Sequence, residues 1–131
     1  GGDVDHVTMD GPRGVRLRSS TVQTLAMALH ELATNAAKYG AIGQAQGYLT
    51  ITWSLDASGR DGTPWLHIDW RESGVEMSER HASSRRIGQG RELIEKALPY
   101  QLDAETAYRL TADGVHCTIS IPVSMKNRGD E

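Results

Sequence analysis

The chain has 131 residues, 14 basic and 17 acidic, a formal net charge of -3 and 38% hydrophobic residues. That length suits one self-supporting domain, and the charge balance argues against a nucleic-acid module built on a basic field. One cysteine, Cys117, excludes an internal disulfide framework, reads as a small apolar strand residue and fits a reducing cytoplasm. No run approaches the ~20 apolar residues that span a bilayer, and no signal peptide is visible.

Residues 1–3 read as a cloning remnant and residues 124–131 as a flexible tail on a single domain spanning 1–131. Residues 4–18 read as extended, with a turn at Gly11-Pro12 and Gly14. Ser19, Ser20 and Thr21 are N-cap candidates for a long helix that Gly40 would stop. Residues 41–47 form a loop. Tyr48 to Leu55 alternates as a half-buried strand, and Trp65 to Trp70 returns as its antiparallel partner. Residues 71–87 lack a strong period and read as an exposed, mobile loop. Arg91 to Leu98 is a second helix, beginning after Gly88-Gln89-Gly90 and stopping at Pro99. Residues 106–111 and 115–121 close the chain as a hairpin around Asp113-Gly114. This order predicts an α+β fold: a two-layer sandwich with a mixed, mostly antiparallel sheet and helices on one face.

The stretch ALHELATNAAKYG, from Ala28 to Gly40, carries the chemistry. At 100° per residue Glu31, Asn35 and Lys38 fall within an arc of roughly 60°. Leu25, Leu29, Leu32 and Ala36 form a separate apolar stripe. An acid, an amide and a cation on adjacent turns suit a metal-bound polyphosphate. His30 lies roughly 140° from Asn35, so it should not share that phosphate; it reads as a packing or hydrogen-bonding residue on the sheet side. HELAT begins like a zinc-protease helix, but Thr34 stands where the second histidine is needed. Walker A and dinucleotide-binding fingerprints are absent. Gly88 and Gly90 before a helix could cradle an anion, helped by Arg85 and Arg86, though such a pair is often an ordinary turn. Glu72 and Gly74 follow a strand, where a carboxylate can accept a purine amino group or simply make a turn. Trp70 reads as core or ligand contact.

Together these segments resemble the catalytic ATP-binding domain of bacterial sensor histidine kinases, in particular the HWE group, from about Val7 to Pro122. The group's signature residues are matched by His30 in HELATNAAKYG and by Trp70-Arg71-Glu72. GRELIEKALPYQLDAET, from Gly90 to Thr106, is similar to the blue-light-sensing (LOV) members. The resemblance implies the ATP-binding fold shared with Hsp90, DNA gyrase B and MutL. It implies that Asn35 holds Mg²⁺ bridging the phosphates of ATP, with Glu31 supporting the metal or orienting the reacting groups. It further implies that Lys38 contacts phosphate, that Tyr39 lies near adenine or ribose, and that Glu72 receives the adenine amino group. Gly74, Gly88 and Gly90 match box glycines, and Val75 to Ile87, with Arg85 and Arg86, would be the ATP lid.

The chain departs from the family pattern in four places. Glu76 replaces a glycine, Ser73-Gly74-Val75 stands where many members read Gly-Gly-Pro, Val115 replaces a threonine, and no phenylalanine supplies an F-box. None of His6, His30, His67, His81 and His116 has the context of a phosphoacceptor. The resemblance therefore implies a kinase catalytic domain, monomeric in isolation and cytoplasmic. Its partner would be a helical dimerisation and phosphoacceptor domain of the same kinase, with a response regulator downstream and no contact with nucleic acid or membrane. Two other functions fit the residues: a non-catalytic ATP-sensing or docking module, and an ATP hydrolase using Glu31 to activate water.

Overall fold

The computed structural model describes residues 7–57, 62–76 and 89–123, with backbone alone for 89 and 90. Strand β1 (Val7–Asp10) leads through an irregular segment into α1 (Ser19–Tyr39), followed by a short 3₁₀ turn at Ala41–Gly43. β2 (Tyr48–Asp56) and β3 (Trp65–Ser73) come next. The second helical stretch is α2 (Gln89–Glu92), a π-helical turn (Leu93–Ala97) and α3 (Leu98–Leu102), and the chain then forms β4 (Glu105–Thr111) and β5 (Gly114–Pro122).

The strands form one sheet in the order β1-β2-β3-β5-β4. β1 runs parallel to β2, with α1 in the connection, and every other pair is antiparallel. Strand alternation sets the two faces. Leu66, Ile68, Trp70 and Glu72 of β3 and Val115, Cys117, Ile119 and Ile121 of β5 are buried. The apolar members join Leu25, Ala28, Leu32 and Ala36 of α1 and Ile94 and Leu98 of the second stretch in one core. The opposite sheet face is polar: His67 bonds Ser120 at 2.8 Å, and Asp69 bonds His116 at 2.6 Å. This is the predicted two-layer sandwich.

Several boundaries differ from the sequence expectation. Ser19, Ser20 and Thr21 do not cap α1 from outside; all three lie within its first turn, because Val22 N–H already bonds Arg18 O at 2.9 Å. The N-cap is Arg18, in extended conformation, and its side chain makes no capping bond. Gly40 does end the helix, donating to Ala36 O, but at φ -129 and not in the left-handed region. β3 continues to Ser73, so residues 71–73 are strand, not loop. The second stretch begins at Gln89 and does not stop at Pro99. Leu98 N–H reaches back five residues to Leu93 O. That wider turn precedes Pro99, which then occupies the first turn of α3, where its missing N–H is tolerated. Asp103, in the left-handed region at φ 56, ends the stretch instead.

Candidate functional site

The polar arc of α1 is present as the periodicity predicts. Glu31 and Asn35 are half-buried and Lys38 is exposed. No hydrogen bond or ion pair ties these three side chains to the described residues. Three polar groups of complementary charge, unengaged among the described residues, are available to a ligand. Glu31 faces the second helical stretch, in a groove it shares with Met27, Leu93 and Lys96. His30 lies toward the sheet, as expected, but it is exposed and not packed into the core. It rims an apolar cleft of about 670 Å³ on the other flank of α1, beside Ala26, Ala33 and Trp53. It makes no hydrogen bond among the described residues.

At the C-terminal end of α1 sits a buried carboxylate. Glu72 is 1% exposed, and its donors include the Trp70 indole N–H at 2.8 Å and the Ala41 backbone N–H at 3.1 Å. Trp70 and Glu72 are two residues apart on a strand, so both point to the helical layer and their side chains meet. The Trp-x-Glu signature is thus a hydrogen-bonded pair in this fold. Its second contact, to Ala41, fastens the end of α1 to β3. Val115, the residue opposite Glu72 in the sheet, is fully buried.

Gly74 opens the next segment at φ +67, where a Cβ would overlap the carbonyl oxygen of Gln46. Both the conformation and the close approach require glycine. Gly74 N–H donates to the Asp113 carboxylate at 3.0 Å, and Val75 N–H donates to Asp113 O at 2.8 Å. On the other side the Gln44 side-chain amide pairs with Glu76 like a strand neighbour: Glu76 N–H to Gln44 Oε1 at 2.8 Å and Gln44 Nε2 to Glu76 O at 3.0 Å. Residues 74–76 are therefore clamped from two sides. Asp113 is legible in the sequence only as a turn residue, and Gln44 carries no sequence signal, so neither half of the clamp is foreseeable from the chain alone.

Tyr39 is the last residue of α1 and half-buried. Gly90 lies inside the first turn of α2, not ahead of it. Arg85, Arg86 and Gly88, with most of the lid expected over residues 75–87, lie outside the described residues. Cys117 is fully buried opposite Trp70, and its thiol is pushed up to about 12, first by burial and then by the charges of Asp69, Glu72 and Glu95.

Among the described residues no three His, Cys, Asp or Glu side chains converge as metal ligands. A protein cage for a metal is thus not built here. Magnesium does not need one: it keeps waters and phosphate oxygens and takes one or two protein oxygens. The unengaged Asn35 amide oxygen, next to an unengaged carboxylate, fits that requirement.

No family model matches the chain. Its fold is that of histidine kinase catalytic domains. The histidine kinase domain of the Erythrobacter litoralis blue-light-activated kinase EL346 superposes with a TM-score of 0.67 at 18% identity, covering 90% of this chain and 52% of that one. The catalytic domain of histidine kinase ThkA gives 0.61 at 14% identity, covering 89% and 78%. In sequence the chain is 34% identical over 119 residues to blue-light-activated histidine kinase 1 of Erythrobacter litoralis (strain HTCC2594), 91% of its own length. It is 31% identical over 121 residues to the blue-light-activated histidine kinase of Brucella ovis, 92% of its length. The chain is therefore a homologue of blue-light-activated histidine kinases with the fold of a histidine kinase catalytic domain. It spans 31% and 23% of those two relatives, and no helix among the described residues is long and apolar enough to cross a membrane.

Proposed function

We propose that the chain binds Mg-ATP and transfers the γ-phosphate to a histidine on a separate helical dimerisation and phosphoacceptor domain, in a two-component pathway ending at a response regulator. The observation that carries this reading is the Glu31–Asn35–Lys38 arc on α1, unengaged among the described residues and leading to a buried carboxylate at the end of the same helix. Phosphoryl transfer is mostly positioning and charge stabilisation. The Asn35 amide would hold Mg²⁺, which offsets phosphate charge when bound. Lys38 would add a cation beside it, and Glu31 would orient the incoming imidazole. Glu72 would accept the adenine amino group, with Tyr39 and Gly74 beside the base. Arg85, Arg86, Gly88 and Gly90 would complete the phosphate side as the lid closes.

A second reading, a non-catalytic ATP-sensing or docking module, draws on one observation: Glu72 is already held by the chain's own donors, and Glu76 stands where a glycine is usual. A chimera separates the two. This chain replaces the matching region of Erythrobacter litoralis blue-light-activated histidine kinase 1 and is incubated with γ-labelled ATP. Acid-labile, base-stable label on histidine is the expected result. Nucleotide binding without any labelled histidine would favour the docking module.

A further inference from the structure

The apolar cleft of about 670 Å³ between α1 and the β1–β2 side of the sheet takes no part in the function proposed above. Ile51 and Ile68 of the sheet, Leu29 and Ala33 of α1, and Val15 and Leu17 of the segment joining β1 to α1 line it. Protein interiors are close-packed, with few voids larger than a water molecule. Here Val15, Leu17, Leu29 and Ile51 pack against the core and yet stay half-buried, because the space they share is unfilled. The joining segment is fastened at the cleft rather than left loose. Trp53 Nε1 donates to Pro12 O at 2.8 Å, and Gly11 lies so close to the Trp53 ring that a Cβ would overlap it.

We infer that this cleft binds a single-chain anionic amphiphile of the fatty-acid class. The alkyl tail lies among the apolar side chains, and the carboxylate lies at the rim with His30 and the arginines of the joining segment.

The lining selects the tail. Its two indole N–H groups are already committed, that of Trp53 to Pro12 O and that of Trp70 to Glu72. Among the lining side chains His30, exposed at the rim, is then the polar group left to a ligand. A peptide strand laid in the cleft would bury backbone amides that meet no partner. An alkyl chain brings no polar group inside, and apolar cavities accept apolar ligands.

Charge selects the head group. The whole chain carries a net charge of -3, but residues 7–18 hold Arg13, Arg16 and Arg18 against one acid, Asp10. Arg16 stands between two lining residues, Val15 and Leu17. Arg13 and Arg16 are exposed and make no hydrogen bond or ion pair among the described residues. Uncommitted guanidinium groups beside an apolar cleft complement a carboxylate, which accepts charge-assisted hydrogen bonds from them.

The test is calorimetric titration of the chain with decanoate, octanoate and decyltrimethylammonium, each below its micelle concentration. Decanoate is expected to bind one-to-one. Each buried methylene is worth about four-fold in affinity, so octanoate should bind about ten-fold more weakly or worse. The cationic amphiphile, with the same tail, should bind about ten-fold more weakly than decanoate. Arg16→Glu, at an exposed position, should weaken decanoate about five-fold and leave the cationic amphiphile no weaker. Ala33→Trp fills the cleft and should weaken both about ten-fold or more, with circular dichroism and Mg-ATP affinity unchanged. No binding of decanoate, equal affinity for the two head groups, or wild-type decanoate affinity in both variants overturns the inference. So does sedimentation showing that the wild type self-associates, that Ala33→Trp abolishes the association and that decanoate leaves it unchanged, which would make the cleft a contact between copies. None of these outcomes bears on Mg-ATP binding, so the proposed function is tested separately.

Discussion

The two flanks of α1 differ in kind. One flank presents Glu31, Asn35 and Lys38, polar and unengaged among the described residues, with Glu31 facing the second helical stretch; toward β1 and β2 the helix presents Leu29 and Ala33 over an apolar cleft rimmed by His30. Between them Leu25, Ala28, Leu32 and Ala36 are buried against the sheet. A single helix thus separates packing from chemistry by rotation alone. His30, which matches the signature histidine, stands on the flank where it has no hydrogen-bond partner among the described residues.

Perturbing the shared stripe should damage both flanks. Leu32 is fully buried, and Leu32→Ala is expected to cost about 2–5 kcal/mol by leaving a cavity, measured as a lower urea midpoint. A loss under about 1 kcal/mol would mean that α1 is not anchored as described. Trp70 is buried in the core and also donates to Glu72, and Trp70→Phe keeps a ring in the core while removing that donor. It deprives the buried Glu72 carboxylate of its indole donor and is expected to cost about 1–3 kcal/mol and to weaken nucleotide binding. Trp70→Phe with wild-type stability and wild-type affinity would detach the signature pair from the site.

The smallest effect is one of pH. The Cys117 thiol is raised to about 12 in the folded chain from an ordinary value near 9. A raised value means that the neutral thiol is favoured by folding. Its contribution is therefore complete below about pH 8.5 and is lost as pH rises through the unfolded value toward the folded one. Melting temperature should fall from pH 9 upward, and Cys117→Ala should flatten that fall. An unchanged slope in the variant would assign the alkaline loss to other groups.

The sequence discloses α1 and its two arcs because a 3.6-residue period reports both at once. It discloses β2, β3 and β5 through alternation. It cannot disclose that Glu72 bonds Ala41, since that contact joins residues 31 apart in the chain. The Trp70–Glu72 bond is within reach, because i and i+2 share a strand face. Pro99 misleads because a proline inside a helical pattern ends it unless a wider turn precedes, and periodicity does not show a π turn. His30 resists placement for a simpler reason: its angle from Asn35 says where it is not, and says nothing about what lies beside it.

The central claim is that α1 divides its labour by flank. The most direct measurement is a calorimetric titration of Mg-ATP into the wild type, Asn35→Ala and His30→Ala. The expected result is measurable binding to the wild type, loss of at least 100-fold in affinity for Asn35→Ala, and a value within two-fold of wild type for His30→Ala. Equal affinity for Asn35→Ala and the wild type, or a comparable loss for His30→Ala, would contradict it.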